Sequence, residues 1–350
     1  MISGQQNTTV GRLVSVDALR GFTMFWIIGG AELFRTLARV WPRPITGTIG
    51  QQMSHLNYGG FRFYDLIFPM FLFIVGVVLP FSVSHRLSEG QSRLQVHLHA
   101  AKRAGLLILL GLIRDAGLLT FDRSEMWSWG VLSLIGVAYF IAAVIVLNTT
   151  IKIQALVTAV LLLGYWGALA LIGIKIPNDH KTLPSALSMY FAFSSAGASN
   201  ALIGVLAGHW LRLGPSGSWK SAGLAIAGLL SLITGYAWGV FFPVIRLLWT
   251  SSYVLVACGY SLLLLAVFYW IIEVKQYKKW AFFFVVIGMN PIIIYMLQKF
   301  VNFNEITSFF LQGVVKHAGT VGPIIMVCGV LAVKWLLLRF LYQHKIFIKV

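Results

Sequence analysis

The sequence predicts an all-α fold: a polytopic bundle of about ten transmembrane helices, ten to eleven, with no soluble domain. Three observations carry this. Hydrophobic residues make up 58% of the 350 and charged residues only 11%. The mean hydropathy is +0.83. Apolar runs of roughly 20 residues, the length that crosses a bilayer as a helix, recur along the whole chain. No loop between them is long enough to fold by itself, so residues 1–350 read as one transmembrane unit.

The first run, 17–38, follows a polar stretch and has Ser15 as a candidate N-cap. That stretch lacks the basic region, short apolar core and small-residue cleavage site of a signal peptide, so the run is expected to stay in the mature protein. The second run, 63–83, starts just after Gly59-Gly60, and runs at 102–121, 127–147 and 151–174 complete a first group. In the second group, 192–213 contains Gly204-x-x-x-Gly208, a spacing that lets helix backbones approach closely, with His209 beyond it. The turn Gly214-Pro-Ser-Gly-Ser218 separates it from 219–241. Runs 250–272 and 322–343 are uninterrupted, whereas 280–300 holds Pro291, which removes a backbone donor and predicts a kink. An eleventh span arises if 183–193 or 306–315 inserts.

A net charge of +17 would suggest nucleic acid in a soluble protein. Here Lys and Arg fall mostly in short loops between apolar runs, where they set orientation. The expected partner is therefore the lipid bilayer and not nucleic acid. Loops on the side of Arg12, Arg86, Arg93, Lys102, Arg103 and Lys278 carry more cations than those on the side of Arg35, Arg39, Arg62 and Arg246. That excess places both termini in the cytoplasm, His55 and Asp65 on the outer side, and Asp17 and Arg20 near the inner side. The same cations can help attract an anionic substrate. Cys258 and Cys328 lie in apolar runs without metal or redox spacing, so no metal is expected. The oligomeric state stays open, a homodimer included.

Ionisable groups at the edge of hydrocarbon are expensive to keep, and so mark candidate functional sites. His55 and Asp65 stand ten residues apart across a glycine-bearing loop. Asp65 can fix the imidazole tautomer by accepting from one ring nitrogen, leaving the other as base or nucleophile, or it can simply cap the helix that starts near 63. Asp17 and Arg20, three apart, share a helix face and can neutralise each other. Trp249, Thr250, Ser251 and Ser252 lead into the 250–272 run, where the hydroxyls either line a site or cap the helix. Asn290 either satisfies a carbonyl freed by Pro291 or faces a ligand. Arg114 and Asp115 either pair with Asp122, Glu125 or a neighbouring helix or, the favoured reading, reach for the interface.

Several motifs occur in a fixed order along the chain. They are Arg12-x-x-Ser15-x-Asp17-x-x-Arg20-Gly21, His55 ten before Asp65-Leu-Ile-Phe-Pro69, Gly130-Val-Leu132, and Pro243 followed by Trp249-x-x-Ser252-Tyr253. Gly288-Met289-Asn290 with Tyr295, and the closing Lys345-Ile-Phe347, complete the set. The series resembles the heparan-α-glucosaminide N-acetyltransferase family and its bacterial relatives over nearly the whole chain. The resemblance implies an acetyltransferase of a bacterial cytoplasmic membrane. Cytosolic acetyl-CoA would supply the acetyl group, and an amino sugar or related glycan at the outer face would accept it. His55 takes the position of the family's catalytic loop histidine, as base or acyl carrier, with Asp65 orienting it. Asp17, Arg20, Lys102 and Arg103 are then expected around acetyl-CoA, the cations meeting its phosphates. Glu32, Asn57, Trp249, Ser252, Asn290 and Tyr295 are expected on the acceptor. The chain departs from the family pattern at Ala31, where the family has asparagine, and at Ser133-Leu134, where it has a Gln-Arg pair. The alternative function implied by the same relatives is a transporter of glucosamine, its N-acetyl form or an oligosaccharide, without acyl transfer.

Overall fold

The computed structural model describes residues 13–56, 59–115, 130–171, 186–215 and 217–347, and every regular element among them is helical. The first expected span is broken. Helix α1 (Val14–Phe25) runs through a π turn (Trp26–Gly30) into α2 (Ala31–Val40), and Gly29 makes the break with φ +150°. That conformation is open to glycine and strained for other residues. Beside the break, the Ile28 carbonyl accepts from the buried Lys334 ammonium at 2.6 Å, and Lys334 also donates to Gln298 Oε1 at 3.0 Å. Ser15 is not the N-cap: it lies inside α1, and Glu273 Oε1 takes its backbone N–H at 3.0 Å, which supplies an acceptor to the helix start from another element.

A short helix, α3 (Pro44–Gln52), packs back on α2. Then come α4 (Phe63–Ser88), α5 (Arg93–Asp115), α6 (Val131–Asn148), α7 (Ile151–Leu171), α8 (Ala186–Leu213) and α9 (Ser218–Gly239). The remainder is α10 (Ser251–Tyr269, prolonged by a π turn to Val274), α11 (Ala281–Met289), α12 (Pro291–Phe300), α13 (Phe303–His317) and α14 (Gly322–Gln343). Thr250 caps α10, its Oγ1 accepting from Tyr253 N–H. Asn290 and Pro291 divide the 280–300 run into α11 and α12, bent by 68°.

Seven helices among the described residues are long and apolar enough to cross a bilayer, or eight if the bent pair α11 and α12 is one span. Each of the ten predicted runs holds a helix where described, with Asn290 and the ends of a few runs outside helix. The count of straight spans is lower because 17–38 and 280–300 are broken; α8, whose first residues are described only as backbone, stands outside the count. The 306–315 stretch lies in α13, whose 15 residues span about 22 Å and fall short of the hydrocarbon thickness. The other candidate, 183–193, begins outside the described residues.

α4 is the central element, packed on α1, α6, α8 and α10. Its crossing with α8 explains the Gly204-x-x-x-Gly208 spacing. A Cβ at Gly204 would sit 2.1 Å from the Phe73 carbonyl oxygen, and one at Gly76 would sit 1.9 Å from that of Ala201. Backbones this close exclude a side chain. Gly204→Val is therefore expected to destabilise by at least about 1–3 kcal/mol, the usual cost of overpacking. Thermal unfolding of the detergent-purified protein reads this as a lower midpoint, and an unchanged midpoint would mean that the helices do not cross there.

Candidate active site

The chain enters α4 through Arg62-Phe63-Tyr64-Asp65, and Asp65 is 2% exposed. Its Oδ2 accepts the backbone N–H groups of Arg62 at 3.2 Å and Leu56 at 3.4 Å, which closes the start of α4 and fastens the preceding loop to it. Its Oδ1 lies 2.7 Å from His55 Nδ1. The two roles open to Asp65 from sequence are thus filled together, because an ionised carboxylate has lone pairs for both. With Nδ1–H donated to the carboxylate, His55 Nε2 is left as the basic ring nitrogen.

The loop is braced from several sides. Arg62 Nη1 donates to Ser54 Oγ at 2.7 Å, Phe63 N–H donates to Gln52 Oε1 at 3.0 Å, and Gly60 N–H donates to the Val244 carbonyl at 3.0 Å. Gly59 and Gly60 both have positive φ, which suits the tight turn before the helix. From α10 the buried Tyr253 hydroxyl donates to the Asp65 carbonyl at 2.7 Å. Arg246, in the turn before α10, places its Nε 3.2 Å from Asp65 Oδ1 as an ion pair whose N–H lies off the hydrogen-bond line.

His55 borders a cavity of about 200 Å³. Its wall is mostly apolar: Ile67, Phe68 and Phe71 from α4, Met24 and Ile27 from the first span, and Leu132 and Ile135 from α6. Among the described residues the polar exceptions are His55, Tyr64 and Tyr295. The Tyr64 ring is 4.7 Å from the imidazole, and the Arg35 guanidinium lies 5.6 Å from the Tyr64 ring centre. On the Ser54 side, α2 and α3 enclose an open cleft of about 530 Å³ lined by Glu32, Arg35, Arg39, Gln51 and Ser54. Glu32 pairs with Arg35 at 3.3 Å and also with Arg39. A histidine of fixed tautomer on an apolar cavity, one residue from a polar cleft, is equipped for proton or acyl transfer between an apolar-bodied donor and a polar acceptor.

The comparisons with known proteins point the same way. Human heparan-alpha-glucosaminide N-acetyltransferase is 29% identical over 143 residues, 38% of this chain and 19% of that protein. The mouse protein of the same name is 28% identical over 149 residues, 40% and 20%. The chain is a distant relative of these acetyltransferases. The matched stretch spans about a fifth of their length, and no family profile matches the chain. The apolar helices and this relationship together make it an integral membrane protein, and they support a membrane acetyltransferase.

The structure gathers only some of the residues expected from the resemblance to the N-acetyltransferase family. His55, Asp65 and Tyr295 meet at the apolar cavity or directly behind it, and Glu32 lies in the adjoining cleft. Asn57 lies outside the described residues. Ser252 is fully buried and donates to the Phe242 carbonyl at 2.7 Å, serving the turn before α10 and not the cavity wall. Trp249, at φ +48°, packs its ring edge-on against Phe68, one layer behind that wall. Asn290 is 1% exposed, and its amide donates to the Ile346 carbonyl at 2.9 Å, tying the break between α11 and α12 to the closing segment.

The four residues expected around acetyl-CoA sit against different elements. Arg20 Nη1 donates to Asp17 Oδ1 at 3.2 Å and to the Gly288 carbonyl at 3.4 Å, on α11. The Arg103 guanidinium lies 4.6 Å from the Tyr139 ring centre, on α6, with Lys102 exposed beside it. Arg246, Tyr64 and Arg114 are the site residues that sequence reasoning missed. Arg246 carried a signal as an arginine at a span edge, but its partner is far away in the chain. Arg114 takes the other reading open to it, a partner on a neighbouring helix and not the interface: its guanidinium lies 3.7 Å from the Tyr295 ring centre.

Proposed function

We propose that this protein transfers an acetyl group from cytosolic acetyl-CoA to an amino sugar or related glycan at the outer side of a bacterial cytoplasmic membrane. The observation that carries the reading is the His55–Asp65 pair, with His55 on the wall of the apolar cavity and its neighbour Ser54 on the wall of the polar cleft. In this scheme the acetyl end of the donor occupies the apolar cavity and the acceptor amine enters from the cleft of α2 and α3. His55 Nε2 takes the amine proton or carries the acetyl group, and Asp65 holds the ring.

A path for the donor is supported by one helix face. Leu132 and Ile135 of α6 line the cavity, and Tyr139, beneath Arg103, follows one turn on, about 6 Å along the axis. Lys102 and Arg103 then meet the phosphates of the donor by charge-assisted hydrogen bonds. Asp17 and Arg20 hold α1 to α11 at the same inner end.

The test is purified protein in liposomes given acetyl-CoA and glucosamine. Release of the CoA thiol with formation of N-acetylglucosamine is expected. Uptake of labelled sugar without acetyl-CoA turnover would replace this reading with transport. The acceptor side has its own test. Glu32 is the cleft's anion and would meet the acceptor ammonium, so Glu32→Gln is expected to raise the acceptor KM by roughly two- to fivefold, the worth of a partly exposed ion pair. The KM for acetyl-CoA should not move. Equal changes in both constants would place Glu32 outside the acceptor subsite.

A further inference from the structure

Facing the same cavity as His55 is a phenol whose surroundings are unusual for a span. The break at Asn290–Pro291 turns α12 so that Ile292 and Tyr295 form part of the cavity wall. At the end of α5, Arg114 holds Tyr295 in three ways. Its Nη1 donates to the Tyr295 hydroxyl oxygen at 2.7 Å, its Nε donates to the Tyr295 carbonyl at 3.3 Å, and its guanidinium carbon lies 3.7 Å from the ring centre. Arg114 Nη1 also donates to Asp115 Oδ1 at 2.6 Å, which fixes the guanidinium in turn.

Guanidinium has donors and no acceptor. The Tyr295 oxygen therefore receives a hydrogen bond from Arg114 and keeps its own proton for another acceptor. Among the described residues no acceptor takes it. The adjacent positive charge draws electron density from the phenol oxygen and makes its O–H a better donor. A strong, preoriented donor in a mostly apolar cavity is what a developing oxyanion requires.

We propose that the Tyr295 hydroxyl donates to the carbonyl oxygen of the bound thioester, and more strongly to the oxyanion formed when the carbonyl is attacked. Tyr295 is then a catalytic residue and Arg114 its positioning residue. The inference rests on the acetyl-transfer reading. In that reaction the acceptor nitrogen forms a bond to the thioester carbon and its proton passes to His55 Nε2. The carbonyl π pair moves to oxygen, where the Tyr295 O–H meets it without giving up its proton. On collapse the C–S bond breaks, the C=O bond re-forms, and the His55 proton goes to the departing thiolate, leaving an amide and free CoA thiol. If the imidazole attacks first, the same oxygen and the same donor are used twice.

The experiment compares wild type, Tyr295→Phe, Arg114→Gln and the double variant in purified, lipid-reconstituted form. Tyr295→Phe is expected to lower kcat by about 10²- to 10³-fold, the usual cost of deleting one oxyanion donor. The acetyl-CoA KM should stay within about twofold, because the bond strengthens in the transition state and not in the ground state. Arg114→Gln is expected to slow the wild type about tenfold and to slow Tyr295→Phe less than twofold further, since the two residues act as one unit. Equal slowing in both backgrounds would make Arg114 merely structural. If Tyr295→Phe does not fold, 3-fluorotyrosine at position 295 keeps the shape and alters donor strength: a changed kcat at constant KM supports the role, and an unchanged kcat overturns it. Wild-type protein that consumes no acetyl-CoA sinks the acetyl-transfer reading itself. Active wild type with an equally active Tyr295→Phe sinks only the role of Tyr295.

Discussion

His55→Ala is expected to lower acetyl transfer to glucosamine by about 10²- to 10⁴-fold, the range that positioned proton transfer contributes, and to leave the acetyl-CoA KM nearly unchanged. The reason is positional. His55 donates Nδ1–H to Asp65, so the proton acceptor is Nε2, and among the described residues no other imidazole borders the apolar cavity. The substitution removes a side chain that is about half exposed, 46%, so it costs little packing and the protein should still fold. That separates a chemical role from a structural one. Imidazole added to the variant should restore part of the rate, because the space vacated beside Tyr64 opens to solvent. Full activity in His55→Ala would remove His55 from the mechanism and with it the meaning of the Asp65 contact. Rapid mixing of wild type with acetyl-CoA alone distinguishes the two forms of the role: a stoichiometric burst of thiol indicates an acetyl-imidazole, and its absence indicates a base acting on the amine.

How much of this was legible in the sequence follows from the range of each interaction. The His55–Asp65 pair is local, ten residues and one loop, and the glycines that allow the turn stand between its members. Helix content was legible for the same reason, since span length and apolarity are properties of a window. The breaks were legible in part: Pro291 announces itself, whereas the π turn at Trp26–Gly30 depends on Gly29 adopting φ +150° and on Lys334, from the other end of the chain, reaching the Ile28 carbonyl. What sequence could not supply is which distant group meets which. Arg246 and Asp65, or Arg114 and Tyr295, are ordinary as single residues and become a site only when helices from opposite halves of the chain pack. Ser252 shows the converse: its place in a motif drew attention to it, and its hydroxyl is occupied by the turn it stabilises.

Asp65→Asn is expected to reduce activity about as far as loss of His55 itself does, by up to about 10⁴-fold if it follows the loss seen when a triad carboxylate becomes an amide. The carboxylate accepts from three donors, His55 Nδ1–H and the N–H groups of Leu56 and Arg62. An amide has one oxygen and must turn its NH₂ toward one side. If the oxygen keeps the backbone N–H groups, the NH₂ faces His55 and selects the tautomer protonated on Nε2, which cannot take a proton from the acceptor. If the oxygen keeps His55, the NH₂ opposes two backbone donors and the start of α4 loses its cap. Either orientation leaves Arg246 beside a neutral group, in a site where its side chain is only 24% exposed. Breaking such a pair costs up to about 3–5 kcal/mol when fully buried, and less here because Arg246 keeps some water. Arg246→Gln isolates the second effect, because the tautomer is retained and only the charge is lost. It should lower the melting midpoint while reducing kcat far less than Asp65→Asn does. In the double variant both charges go together, so it should melt no lower than Asp65→Asn alone. A double variant whose losses simply add would show that Arg246 and Asp65 do not act as a pair, and the ion pair would then have no part in holding His55.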